Sequence, residues 1–150
     1  MRIVIQRVSQ ASVTINGEIH GAVGRGMMVL VGVEQGDTDD DALWLATKTA
    51  GLRIFDDNDG VMNRNITDAG GDILAISQFT LTASTRKGNR PSYIRAAAHP
   101  LATHLYDLYC ARLREITSLR VPTGVFGADM QVSLINDGPV TIIIDSKLKE

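Results

Sequence analysis

This sequence has only one cysteine, little net charge and no long apolar run. The single cysteine, Cys110, has no partner for an internal disulfide, which predicts a reducing, cytoplasmic setting. The formal net charge of −2 argues against broad electrostatic wrapping of nucleic acid, since that needs a basic face, and leaves a local basic patch open. No apolar run has membrane-spanning length, and "MRIVIQRVSQ" alternates apolar and polar residues, unlike a signal peptide. We therefore expect neither a membrane nor DNA as a partner.

The common motifs of cofactor and metal chemistry are also missing. Glycines 21, 24 and 26 have the wrong order for a dinucleotide fingerprint and precede a strand, so a structural turn is the better interpretation. His99 and His104 are five residues apart, and no second thiol could complete a zinc site. There is no Walker-type loop and no G-x-S-x-G elbow. We expect no metal and no cofactor.

The length and composition predict one globular domain over residues 1–150, because 44% of the residues are hydrophobic and 21% are charged. Alternating segments near the N-terminus predict strands with a turn at Asn16-Gly17. Two helices are expected, one after Thr38, which forms a capping-box pattern with Asp41, and one from about Pro100 to about Leu119. The predicted fold class is α+β: a curved, largely antiparallel sheet or barrel with two helices.

The segment "NDGPVT", residues 136–141, lies between two apolar runs and predicts a hairpin turn, since Asp-Gly favours one. Pro139 is unexpected there, because proline cannot donate to a returning ladder.

The polar candidates for a site lie at predicted strand ends: Ser77, Gln78 and Thr80 in "SQFTL", Thr141, and Arg7. Judged alone, Ser77 and Thr80 are more often ordinary strand residues. The basic loop, residues 86–95, contains Arg86, Lys87, Arg90 and Arg95. Such a loop is usually a solvated surface, although it could also hold a phosphate.

Several blocks together resemble the D-aminoacyl-tRNA deacylases: "SQFTL" at 77–81, "KGNRPSY" at 87–93, "TGVFGADM" at 123–130 and "NDGPVT" at 136–141. The opening "QRVSQASVTING" and the "LRIF…DGVMN" segment are similar too, so the resemblance covers essentially the whole chain. It implies hydrolysis of the ester between a D-amino acid and the 3′ end of tRNA, with mischarged glycyl-tRNA as a further substrate.

The resemblance also implies a homodimer in which each subunit's Gly-Pro turn reaches into its partner's pocket. By the match, Gly138 and Pro139 form the family's Gly-cis-Pro element, which Arg7 helps to hold. Met130 and Thr141 lie in the matching blocks and join these selectivity residues. Ser77, Gln78, Phe79 and Thr80 are the implied catalytic group, lining the pocket for the aminoacylated adenosine.

The catalytic step has two candidate mechanisms. Thr80 could be a nucleophile, but a threonine needs an adjacent base and no motif provides one. Alternatively, the 2′-hydroxyl of the terminal ribose activates water while backbone N–H groups near Phe79 and Thr80 stabilise the oxyanion. The second is favoured because no base is visible. Two other classes of function stay open: a non-enzymatic RNA-binding module, and a hydrolase of small D-amino acid esters.

Overall fold

A fourteen-residue strand, β1 (Arg2–Ile15), is the centre of the sheet in the computed structural model, which describes residues 1–150. It turns at Asn16-Gly17, whose φ angles of 50° and 79° are the positive values that a type I′ hairpin requires. The predicted turn is confirmed. The segments "RIVIQRV" and "ASVTING", which predict two separate strands, belong to one continuous strand.

The other strands pair around β1. They are β2 (Glu18–Val23), β3 (Gly26–Gly32), β4 (Phe55–Asp56), β5 (Met62–Arg64), β6 (Asp72–Ser77) and β7 (Gln131–Asp145). β2 and β3 pair antiparallel with the two halves of β1, both ends of β7 pair antiparallel with β1, and β6 joins β3 in parallel. β4 and β5 form a separate two-stranded sheet. The main sheet is mixed but largely antiparallel and curls into a half-barrel, so the predicted α+β class is confirmed.

The prediction of a hairpin turn at residues 136–141 is wrong. Asn136 pairs with Val8 and Thr141 pairs with Gln6, so β7 continues in one direction along β1 through this segment. Residues 137–140 therefore stand opposite Arg7 alone and leave the ladder. We call residues 137–140 the Gly-Pro bulge. The bulge forms because Pro139 has no N–H to donate to the ladder. The strand therefore leaves these residues unpaired and continues in the same direction.

Two helices pack together beside the sheet. α1 (Asp39–Gly51) begins with the predicted capping box, in which the Thr38 N–H donates to Asp41 Oδ2 at 2.8 Å. α2 (His99–Thr117) ends because Ser118 adopts a left-handed φ of 59°. A buried hydrogen bond of 2.9 Å joins Thr49 Oγ1 of α1 to the Tyr109 hydroxyl of α2.

Cys110 lies in α2 with 2% of its surface exposed. Burial raises the pKa of its thiol to about 11, so the sulfur is protonated at neutral pH and packs as a small hydrophobic group. Neither helix is long and apolar enough to span a membrane.

Candidate active site

A turn of 3-10 helix, Phe79–Thr82, follows β6, whereas the sequence "DILAISQFTL", residues 72–81, predicts one longer strand. Gln78 N–H still donates to Val31 O of β3 at 2.8 Å, and the Leu81 N–H then closes the first turn on Gln78 O. The turn packs on the end of β3, because a Cβ added to Gly32 would lie 2.9 Å from Leu81 Cβ. The missing side chain at Gly32 therefore allows the chain to turn here. We call Phe79–Thr82 the 79–82 turn.

Two arginines hold the far end of the 79–82 turn. Arg2 Nη1 donates to Leu81 O at 3.1 Å, and Arg95 Nη2 donates to Thr82 O at 3.1 Å. Arg2 also donates to Asp145 Oδ2 at 2.9 Å. Burial alone would raise the pKa of Asp145, but hydrogen bonds from the Lys147 N–H and from Arg2 outweigh it, and the pKa lies below its usual value. The charged carboxylate thus orients Arg2 toward the turn.

A cleft of about 300 Å³ opens beside this turn. One wall is the end of β6 with the start of the turn, and the other wall is the segment that leads into β7. The lining residues are Ile76, Ser77, Gln78, Phe79, Phe126, Gly127, Ala128, Asp129, Met130 and Val132. The Phe79 ring is 56% exposed and meets the Tyr93 ring edge to face, with centroids 5.1 Å apart. The cleft thus presents an aromatic surface at its mouth.

Thr80 does not line the cleft, but its hydroxyl is hydrogen-bonded to Gln78 of the cleft wall. Gln78 Nε2 donates to Thr80 Oγ1 at 2.5 Å, and no His, Lys or carboxylate group contacts that hydroxyl. An amide N–H cannot accept the proton of a threonine, so the structure contains no base for Thr80. The N–H groups of Phe79 and Thr80 come first in the 3-10 turn and have no acceptor within it. They form no other backbone hydrogen bond outside the turn, and Phe79 itself lines the cleft.

The Gly-Pro bulge is held from both sides. Arg7, only 9% exposed, donates from Nε to Asp137 O at 2.8 Å and from Nη1 to Ile54 O at 2.8 Å. Asn136 Nδ2 donates across the base of the bulge to Arg7 O at 3.0 Å and to Val140 O at 3.1 Å. Backbone carbonyls that lost their ladder partners are satisfied by these two side chains.

Within the bulge, Gly138 and Pro139 are exposed and joined by a cis peptide bond. A Cβ at Gly138 would lie 2.4 Å from Asn136 Oδ1, so a larger residue here would displace the Asn136 side chain from its two hydrogen bonds. Thr141 follows the bulge, exposed, and accepts a hydrogen bond from Gln6 Nε2 at 3.2 Å.

The predicted site residues therefore fall into two groups. Ser77, Gln78, Phe79 and Met130 line the cleft, with Thr80 bonded to its wall. Arg7, Gly138, Pro139 and Thr141 lie at the bulge and do not line the cleft of their own chain. The bulge follows Asn136, which lies four residues beyond Val132 of the cleft. Along an extended strand this separation is about 13 Å.

Sequence reasoning missed Asn136, Phe126 and Asp129. All three lie inside the blocks "NDGPVT" and "TGVFGADM", so block membership is the signal that could have found them. Asn136 supports the bulge, while Phe126 and Asp129 line the cleft. No group of three His, Cys, Asp or Glu side chains is placed to hold a metal ion.

A family model described as D-Tyr-tRNA(Tyr) deacylase matches residues 4–145. Proteins named D-aminoacyl-tRNA deacylase match over the full length of both chains, at 59% identity from Phocaeicola vulgatus and 57% from Akkermansia muciniphila. The solved structure titled "c-Myc DNA Unwinding Element Binding Protein" has a TM-score of 0.89 at 39% identity, covering 97% of this chain and 98% of that one. A probable eukaryotic D-amino acid tRNA deacylase has a TM-score of 0.81 at 18% identity, covering 95% and 97%. That second likeness shows the fold alone.

The contacts of Asn136 lead to a first prediction. Asn136→Ala leaves the carbonyls of Arg7 and Val140 without their donor, and each unsatisfied group costs on the order of 1–3 kcal/mol when buried. Because both hydrogen bonds are only partly buried, we expect the free energy of unfolding in urea to fall by about 1–3 kcal/mol in total. Asn89→Ala, which removes an exposed asparagine without hydrogen bonds, is the control and should change little. Equal stability of both variants would show that Asn136 does not hold the bulge.

Proposed function

This chain belongs to the D-Tyr-tRNA(Tyr) deacylase family, and we therefore propose that it selects D-aminoacyl-tRNA by the handedness of the amino acid. The enzyme class is a hydrolase of the aminoacyl-tRNA ester bond, acting in translation proofreading. The observation that carries the proposal is the Gly-Pro bulge, an exposed backbone segment held by Arg7 and Asn136.

A backbone wall suits this selection. D- and L-amino acids present the same groups around Cα with opposite handedness, and a site that accepts many side chains cannot depend on side-chain pockets. Gly138 permits the backbone to approach Cα closely. An L-side chain then clashes with the wall, and each tenfold of discrimination needs only about 1.4 kcal/mol. Glycine has no side chain to clash, so glycyl-tRNA should also be hydrolysed.

The cleft is the proposed binding site for the 3′-terminal adenosine. Ser77, Gln78 and Phe79 line it beside Met130, and its volume of about 300 Å³ is in the range of small-ligand pockets. The exposed Phe79 ring offers a face on which a base can stack.

The proposed site is completed by a second copy of the chain. The Gly-Pro bulge does not line the cleft of its own protomer, so a filter in that cleft must come from elsewhere. No strand of the same chain pairs with the outer edge of β7, where Ile135 and Ile143 are 54% and 63% exposed. A long apolar edge strand is normally covered. We assign this cover to a homodimer whose symmetry places each bulge at its partner's cleft.

The proposed hydrolysis is assisted by the substrate. The 2′-hydroxyl of the terminal ribose orients and activates a water molecule, whose oxygen attacks the ester carbonyl. The N–H groups of Phe79 and Thr80 stabilise the oxyanion, and the ester C–O bond breaks as the ribose 3′-oxygen takes a proton. Free D-amino acid and tRNA are the products. The lack of a base at Thr80 supports a positioning role for its hydroxyl.

Two further points stay predictions. One structural relative is named for a DNA element, but a net charge of −2 does not favour binding to a long DNA duplex, and we keep tRNA as the nucleic-acid partner. The substrate is an intermediate of translation, and we place the enzyme in the cytoplasm.

Stereospecific turnover tests the proposed function. The purified chain is incubated with D-Tyr-tRNA, L-Tyr-tRNA and Gly-tRNA, and the release of amino acid is followed. We expect rapid hydrolysis of the D-ester and the glycyl ester, with the L-ester at the spontaneous rate. A protein that only binds RNA would release nothing above background, and a hydrolase of small esters would act equally well after removal of the tRNA body.

The mechanism has a separate test. We expect Thr80→Ala and Thr80→Val to keep activity within about tenfold, whereas a substrate with a 2′-deoxy terminal adenosine loses at least about a hundredfold, the lower range for general acid–base catalysis. Both are measured in single turnover with the same D-amino acid. An inactive Thr80→Ala combined with normal hydrolysis of the 2′-deoxy ester would restore threonine as the nucleophile.

A further inference from the structure

Positive charge is concentrated next to the cleft although the whole chain is slightly acidic. Between Asp72 and Asp107 the sequence contains no acidic residue, while the same stretch includes all four cationic residues of the basic loop. The formal net charge of the chain is −2, so the acidic residues lie outside this stretch of sequence, and Asp129 is the one acidic residue that lines the cleft. A polyanion approaching this side of the molecule therefore meets a local field opposite to the net charge.

The basic loop is anchored by its backbone and leaves three cations free. Ser84 and Ser92 exchange two N–H···O bonds of 2.9 Å and close the loop at its base. The side chains of Arg86, Lys87 and Arg90 are exposed and form no ion pair or hydrogen bond within the chain. Arg95 differs, because it holds Thr82 O and lies 3.5 Å from Glu34 Oε1. One cation of the loop is structural and three are available to a ligand.

The loop is joined directly to the mouth of the cleft. It follows the 79–82 turn, to which Arg95 connects it, and the Tyr93 ring packs against the Phe79 ring at 5.1 Å. Phe79 is itself part of the cleft wall. A ligand with its end in the cleft and its body leaving past Phe79 would therefore meet Arg86, Lys87 and Arg90 next.

We propose that Arg86, Lys87 and Arg90 bind the backbone phosphates of the acceptor end of tRNA behind the terminal adenosine. Arginine and lysine are the usual phosphate partners, and charge-assisted contacts of this kind position a nucleic acid without reading its sequence. This inference rests on the proposed function, because it places the tRNA end in the cleft. It assigns the affinity for the tRNA body to the basic loop and the chemistry to the cleft.

The test is the variant Arg86→Gln/Lys87→Gln/Arg90→Gln. The matched control is Lys48→Gln/Arg53→Gln/Arg120→Gln, which removes the same charge from exposed side chains outside the cleft and the loop. We measure kcat/KM on D-Tyr-tRNA and on the D-tyrosyl ester of adenosine, and the Kd for uncharged tRNA, from low to high salt.

We expect the loop variant to lose about ten- to a hundredfold in kcat/KM on D-Tyr-tRNA at low salt, through KM, and a similar factor in affinity for uncharged tRNA. The slope of log kcat/KM against log salt should fall by about two, since each phosphate contact contributes about 0.7–0.9. Hydrolysis of the adenosine ester should not change, and the control variant should behave as the wild type.

Two results would overturn the inference. One is a loop variant that binds uncharged tRNA with the wild-type affinity and salt slope; the other is an equal loss on the adenosine ester, which would mean damage to the cleft. Failure of the proposed function has a different signature, because the wild type itself would then leave D-Tyr-tRNA intact, whatever the loop variant binds.

Discussion

The guanidinium of Arg7 holds together the part of the sheet on which the rest of the structure depends. β7 leaves its ladder with β1 for four residues, and backbone groups in such a break need other partners. Arg7 provides one of them, donating from Nε to Asp137 O in the bulge, while its Nη1 donates to Ile54 O before β4 and so fixes the guanidinium in place. Hydrogen bonds to charged groups contribute about 1.5–3 kcal/mol each, so the pair can hold the exposed bulge in one shape. Asn136 closes the base from the other side.

The two halves of the candidate site are supported from opposite faces of the same strand. Arg2 and Arg7 are an odd number of residues apart on β1, so their side chains leave opposite faces. Arg7 shares the core face with Ile3 and Ile5, which explains why it is nearly buried and why its Nε and Nη1 atoms both donate to backbone carbonyls. Arg2 faces the other way and holds the 79–82 turn with the help of Asp145. β1 thus supports the cleft wall through one arginine and the bulge through the other.

Local signals in the sequence predicted local structure well. Asn16-Gly17 required positive φ angles and formed the expected turn, and the Thr38–Asp41 capping box began α1. The Asp-Gly signal failed at residues 136–141, because the partner of β7 is β1, more than a hundred residues earlier, and no local pattern reveals that pairing. The sequence also did not predict that β6 ends at Ser77. The turn that follows depends on space beside Gly32 of β3, which no local pattern reveals. The role of Asn136 depends on three-dimensional contacts with Arg7 and Val140, although its block was recognised.

The central claim is that the bulge of one protomer works in the cleft of its partner. The direct measurement uses two inactive variants: Gln78→Ala/Phe79→Ala, which removes the cleft wall, and Gly138→Val, whose side chain collides with Asn136. Each homodimer is assayed on D-Tyr-tRNA beside the mixed dimer, isolated through two different tags. A mixed dimer contains one intact cleft facing one intact bulge, so it should recover about half of the wild-type activity. A mixed dimer as inactive as its parents would place cleft and bulge in one chain and contradict the account.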